Sequence, residues 1–227
     1  MFNFIVTVGG RYDQEYANKS VRMLRRNCKI PFNAYCLTDY NDGFDPDVTI
    51  IRPELTVKGW WNKMLILSRK MPKGWILVMD VDLIINSDMT EIIEYAMNNT
   101  RTISAYSDAI CWENCKLSTS LMMFQSGSLD NIYQKFIEEY PGIENFPGGD
   151  QGWLYTKVKD ILYLDEIFPG FKKSLKFNIS SKNDLANGKI VLPLDVEDTV
   201  KIIDCHGNPK PKDLYQVGWT PAVRNWI

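Results

Sequence analysis

The chain is poor in metal-binding side chains of the nitrogen and sulfur kind: its 227 residues hold one histidine, His206, and five cysteines, Cys28, Cys36, Cys111, Cys115 and Cys205. Cys111 and Cys115 are close in sequence, yet no second Cys or His pair exists to complete a zinc site, so both are read as structural. An odd count in mostly apolar contexts fits reduced thiols, and hence a cytoplasmic protein. No apolar run approaches the ~20 residues of a membrane span. The opening stretch, Met1-Phe2-Asn3-Phe4-Ile5-Val6-Thr7-Val8, has neither a basic region nor a small-residue cleavage site. It reads as a buried strand and not as a signal peptide. There is no excess of one charge either. With 26 basic and 28 acidic residues the net charge is −2, which argues against a nucleic-acid partner, since such a protein needs a basic face to displace counterions. Repeats, low-complexity segments and linkers are also lacking, and residues 1–227 read as a single domain.

What is present is ordinary globular composition, 45% apolar and 24% charged, with enough length for one α/β core. Aromatic residues are plentiful at 12%, including seven Trp and eleven Tyr. They serve either as core or as platforms for sugar rings, and composition does not choose.

Strand-like and helix-like stretches alternate through the first half. Phe4–Val8 is an apolar run closed by Gly9-Gly10, as in a buried strand. Tyr12 to about Cys28 has helical spacing. Phe32–Thr38 and Val48–Arg52 are strands, Trp60–Met71 a helix ended by Pro72, and Trp75–Met79 the strongest strand in the chain. This order predicts an α/β layered domain with a largely parallel, twisted sheet. Further on, Asp88 can cap a helix to about Met97. Thr102–Tyr106 and Leu117–Phe124 are strand-like, Leu129–Tyr140 is helical, and a short helix opens at Asp150. Val200–Ile203 is a last strand.

Asp80-Val81-Asp82 directly follows Trp75–Met79. Ligands of open α/β sheets bind at the carboxyl ends of strands. Two Asp at i and i+2 there can each offer an oxygen to a hard divalent ion while Val81 faces the core. Solvated acids at a strand end are the bland alternative, but half-buried unpaired carboxylates beside Leu83-Ile84-Ile85 would be costly. His206 follows the last strand and precedes Gly207. A lone His is more often a surface or satisfied core residue, but this loop can present an imidazole to a metal and Lys210 to a phosphate. Two carboxylates, an imidazole and diphosphate oxygens suit Mn²⁺, with Mg²⁺ as the alternative. Asp150-Gln151 follows Pro147-Gly148-Gly149, where Asp150 reads as a helix N-cap, as a carboxylate at a substrate, or as both. Lys63 is either an exposed helix lysine, a cation over phosphates, or the partner of Asp80. The neighbouring Trp60-Trp61 pair has a plain reading as core.

Taken together these pieces resemble the nucleotide-diphospho-sugar transferase (GT-A) fold, and within it the glycogenin-like, retaining, family-8-like branch. That family opens with a strand, a Thr and then a Tyr that cradle the nucleotide base, matched by Thr7, Val8 and Tyr12. A lysine before the metal strand is matched by Lys63, the D-x-D by Asp80 and Asp82, and the Asp-Gln pair by Asp150 and Gln151. The closing His-Gly-Lys-Pro loop, in shortened form, is matched by His206, Gly207, Lys210 and Pro211. Where the family often shows Asn-x-Gly, this chain has Ser118-Thr119-Ser120. The resemblance implies a Rossmann-like domain with a mostly parallel mixed sheet flanked by helices. It also implies metal-dependent transfer of a sugar from a nucleoside-diphosphate donor, UDP favoured, with retention. The acceptor hydroxyl is that of a glycan, a lipid-linked sugar or a protein. On this reading Asp80, Asp82 and His206 hold the metal. Thr7, Val8, Tyr12, Lys63, Gly207 and Lys210 bind the donor, Asp150 and Gln151 face the reacting sugar, and Lys210 stabilises the leaving diphosphate. A sugar- or nucleotide-binding domain without activity is the rival from another class. A D-x-D phosphatase fits poorly, because Leu83-Ile84-Ile85 stands where Gly-Thr is expected.

Overall fold

A computed structural model of the chain describes residues 1–107, 115–180 and 191–227. Cys111 lies outside the described residues. The first half alternates as its hydrophobic pattern requires: β1 (Phe2–Thr7), α1 (Gln14–Arg26), β2 (Phe32–Leu37), β3 (Val48–Ile51), a helical segment at Gly59–Leu67, and β4 (Trp75–Met79). β5 (Leu83–Ile85), α2 (Thr90–Asn99), β6 (Ile103–Ser107), β7 (Leu117–Gln125), α3 (Asp130–Glu139) and α4 (Gly149–Lys157) follow. The chain ends with β8 (Ile161–Tyr163), α5 (Leu164–Ile167), β9 (Lys172–Ser174), β10 (Ile202–Asp204), α6 (Pro211–Gln216) and α7 (Thr220–Asn225).

Seven strands form the central sheet in the order β3-β2-β1-β4-β7-β6-β8. β1, β2, β3 and β4 run parallel, β7 is antiparallel to both β4 and β6, and β8 is parallel to β6. The sheet is therefore mixed, with its parallel half at the N-terminal end of the chain. Side chains alternate across it with period two. Phe4, Val6, Leu77, Met79, Leu121 and Met123 face one apolar layer, completed by α1, α2 and the C-terminal segment. Ile5, Ile76, Val78, Met122 and Phe124 face the other, completed by Gly59–Leu67, α3 and α4. The sheet is thus covered on both faces, which is why β1 and β4 read as unbroken apolar runs.

Three local expectations are corrected. Trp60–Met71 is not an α-helix but a 3₁₀ segment over Gly59–Leu67, because its apolar residues serve one densely buried run and not a clean amphipathic stripe. Asp150 does not cap α4: Gly148, at φ +77°, holds the N-cap position, and Asp150 is buried one residue inside the helix. Leu83–Ile85 is not merely apolar flank. It forms a second sheet, β5-β10-β9, with β10 antiparallel to β5 and parallel to β9. This small sheet carries the residues after Asp82 to the loop holding His206 and Lys210.

Candidate active site

Asp80 and Asp82 leave β4 between two neighbours. The Asp80 N–H donates to the Ser120 carbonyl on β7 at 2.9 Å, and the Asp82 carbonyl accepts from the Cys205 N–H beyond β10 at 3.2 Å. Val81, between them, is buried. The two carboxylates therefore stand at the carboxyl end of β4, each held against a different neighbour, and each meets a buried lysine.

Lys63 lies between Asp80 and Asp150. Its Nζ is 2.8 Å from Asp80 Oδ1 and 3.4 Å from Asp150 Oδ2. It also donates to Thr119 Oγ1 at 2.9 Å. Of the roles open to Lys63, pairing with Asp80 is the one its geometry takes. Burial opposes its charge, but Asp150 and Asp80 outweigh that and push its pKa up. For Asp80, burial together with the charges of Asp82 and Asp150 outweighs Lys63 and lifts the carboxyl to about 6.

Thr119 is the residue that sequence reasoning passed over. It is fully buried, and its hydroxyl accepts from Lys63 while donating to Asp150 Oδ2 at 2.7 Å. Its N–H donates to Gln151 Oε1 at 3.1 Å. Thr119 thus joins Lys63, Asp150 and Gln151 from the strand where the family resemblance offered no match. Thr119→Val keeps the shape and removes the hydroxyl, leaving Lys63 and Asp150 one hydrogen bond short inside the protein. Urea unfolding is expected to show a loss of about 1–3 kcal/mol, with Thr119→Ser close to wild type.

Asp82 meets the other lysine. Its Oδ2 accepts from Lys210 Nζ at 2.5 Å and from the Tyr12 hydroxyl at 2.8 Å. Burial and the charge of Asp82 push the Tyr12 pKa up, so the phenol stays protonated and donating. Lys210 is itself buried and also donates to the Cys205 carbonyl at 3.2 Å. Gly207 turns the chain between them at φ +74°, and a side chain there would strike the Lys176 ammonium.

His206 stands apart from this cluster. Its Nδ1 is 3.4 Å from Asp204 Oδ1, and its ring stacks on Phe177 with centroids 5.4 Å apart. Asp204 in turn meets the buried Lys172 at 2.7 Å. Burial alone would raise the Asp204 pKa, but Lys172 and His206 reverse this and hold the carboxyl well below its ordinary range.

A cleft of about 670 Å³ opens in front of Asp80 and Asp82, within the size range of small-molecule sites. It is lined by Thr7, Val8 and Tyr12, by Thr38, Asp39 and Tyr40 just beyond β2, and by Trp60, Asn62 and Lys63. Thr7, Val8, Tyr12, Lys63, Asp80 and Asp82 thus line one cavity, with Lys210 joined to it through Asp82 and Asp150 through Lys63, while Gln151 lies behind them on Thr119. Arg11, Asp39 and Tyr40 are cleft residues that no motif had marked, and Trp60, read with Trp61 as core, stands exposed at the cleft while Trp61 alone is buried.

The residues suit a divalent cation that arrives with its substrate. Among the described residues no group of three or more His, Cys, Asp or Glu side chains forms a ready-made metal cage. Three carboxylates, Asp80, Asp82 and Asp150, face two ammonium groups, Lys63 and Lys210. That leaves the cluster one negative charge in excess. Asp82 Oδ1 also accepts no hydrogen bond among the described residues, its partners being on Oδ2. Hard oxygen donors short of a full cage are how a cation is held when substrate phosphates supply the remaining ligands.

No protein-family model matches the chain, and no curated protein sequence matches it. Solved structures do. The fold matches the glycosyltransferase GlyE of Streptococcus pneumoniae TIGR4 with a TM-score of 0.68 at 16% identity, over 100% of this chain and 62% of that one. It matches the galactosyltransferase LgtC, solved with donor and acceptor sugar analogs, at 0.60 and 12% identity over 99% and 95%. Mouse xyloside xylosyltransferase 1 matches at 0.52 and 13% identity over 91% and 97%. The chain spans about three fifths of the GlyE chain. The fold is that of the GT-A glycosyltransferases, a mixed central sheet between helical layers.

Proposed function

We propose that the chain is a glycosyltransferase that moves a sugar from a nucleoside diphosphate, UDP being the favoured nucleotide, to an acceptor hydroxyl, with retention at the anomeric carbon. The observation that carries this reading is the placement of Asp80 and Asp82. They stand at the carboxyl end of β4, in one cleft with Thr7 and Tyr12, in a fold shared with the glycosyltransferases GlyE and LgtC.

In this reading the nucleoside lies toward Thr7, Val8 and Tyr12, where Tyr12 and Tyr40 offer flat rings and Asp39 an acceptor carboxylate. Asp80 and Asp82 would hold Mn²⁺ or Mg²⁺ together with the diphosphate, and His206, whose Nδ1 faces Asp204 in the loop beyond β10, is the third candidate ligand. A divalent cation there stabilises negative charge on the leaving diphosphate. Lys210 adds a fixed positive charge beside Asp82 as the anomeric C–O bond breaks. Gly207 keeps the backbone of that loop close to the same charge. Asp150 and Gln151, oriented by Thr119, face the sugar. Four described cysteines, Cys28, Cys36, Cys115 and Cys205, are free thiols, which supports a cytoplasmic location. No helix among the described residues is long and apolar enough to cross a membrane.

Thermal-shift titration with UDP and with GDP, each with and without Mn²⁺, tests the reading directly. A rise in melting temperature that requires both UDP and the metal is the expected result. If no nucleotide moves the transition in any condition, the chain is not a transferase of this kind, and a domain that binds sugar alone takes its place.

A further inference from the structure

Trp60 is unlike the other large aromatic side chains of the cleft region. Its neighbour Trp61 is buried, with its ring stacked on Phe136 at 6.0 Å, and so anchors the segment. Trp60 itself is 62% exposed and forms part of the cleft wall beside Asn62 and Lys63. An indole left open to water at this level forgoes a large apolar gain.

Its position is also fixed from the far side. Gly149 lies against the indole so closely that a Cβ there would stand 2.7 Å from Trp60 Nε1. That glycine opens α4, the helix carrying Asp150 and Gln151. One edge of the ring therefore rests on the turn that presents the two residues assigned to the reacting sugar. The rest of the ring is open to solvent.

We infer that Trp60 is the platform of an acceptor subsite, and that the acceptor group it takes is a carbohydrate ring. The apolar C–H face of a pyranose covers an indole face, while its hydroxyls need polar partners at the rim, which Asn62 on the same cleft wall can supply. A peptide or a bare lipid phosphate has no comparable flat apolar face with hydroxyls around its edge. The inference rests on the transferase reading for its word acceptor, but sugar binding at Trp60 does not depend on any nucleotide.

The test is saturation-transfer NMR on the intact chain with methyl glycosides of glucose, galactose, N-acetylglucosamine and N-acetylgalactosamine, with and without UDP and Mn²⁺. At least one glycoside is expected to give ring-proton transfer in the wild type. The signal is expected to fall roughly tenfold or more in Trp60→Ala, on the scale of a lost aromatic stacking partner, and to be partly kept in Trp60→Phe. Because the side chain is exposed, the variants are checked for folding by their melting transitions. No transfer from any glycoside to the wild type, or equal transfer in Trp60→Ala, overturns the inference. If glycosides bind through Trp60 while UDP does not bind at all, the acceptor subsite stands as a sugar site and the transferase reading fails alone.

Discussion

Asp82→Asn is expected to lower the turnover of UDP-sugars by about three orders of magnitude or more. The substitution keeps an oxygen and so preserves an acceptor for Tyr12 and Lys210, which bond to the native carboxylate at 2.8 and 2.5 Å. It removes the negative charge, and with it the hard anionic oxygen a divalent cation needs. The loss falls on chemistry and metal-linked nucleotide binding, and because the buried Lys210 also loses its counter-charge, activity is compared below the variant's own melting transition. UDP release from UDP-glucose and UDP-galactose, measured across a Mn²⁺ titration, provides the check. Turnover within tenfold of wild type would show that Asp82 is only a structural acceptor for Lys210, and the metal assignment would go with it.

The second large effect concerns stability. Lys63→Met removes the one ammonium that lies between Asp80 and Asp150, at 2.8 and 3.4 Å from their oxygens. The aliphatic stem is largely preserved, but the buried Asp150 and the cleft-lining Asp80 lose their counter-charge. Breaking such a pair from one side costs about 3–5 kcal/mol, which urea unfolding would read as a lower midpoint. The pH dependence follows from the raised Asp80 pKa of about 6. A carboxyl that binds its proton more tightly folded than unfolded makes the folded state the better proton binder in that window. The metal-free wild type therefore loses stability from this group as pH rises from the ordinary carboxylate range through about 6. Without Lys63 the Asp80 pKa rises further, so the decline steepens and extends to higher pH. A variant whose deficit is the same at pH 5 and pH 8 would contradict this account of the pair.

Much of the fold was legible because burial leaves a mark on the chain. β1 and β4 are covered on both faces, so both read as continuous apolar runs, and the D-x-D position followed from the end of the stronger one. Lys63 as the partner of Asp80 was also within reach, since a lysine in the segment before that strand is well placed to meet its end. The second sheet was not legible. β5, β9 and β10 are three residues each, too short to show a period, and β5 pairs with β10 across more than a hundred positions. Thr119 was visible only as part of Ser118-Thr119-Ser120, where the resembled family often shows Asn-x-Gly: a threonine in a strand is a common residue, and its use depends on which three partners surround it.

The sequence by itself determined the layered α/β class, the strand that ends in Asp80 and Asp82, and the set of polar residues available for chemistry, because these depend on local pattern and on residue type. Only the tertiary structure decided how those residues divide among partners. It put Lys63 with Asp80 and Asp150, Lys210 with Asp82, and His206 with Asp204 and Phe177. It also buried Trp61 while leaving Trp60 at the cleft. Adjacent residues can meet opposite fates because exposure and pairing are set by what packs across the gap from other parts of the chain. For Trp60 that neighbour is the glycine turn at Gly149, some ninety residues away.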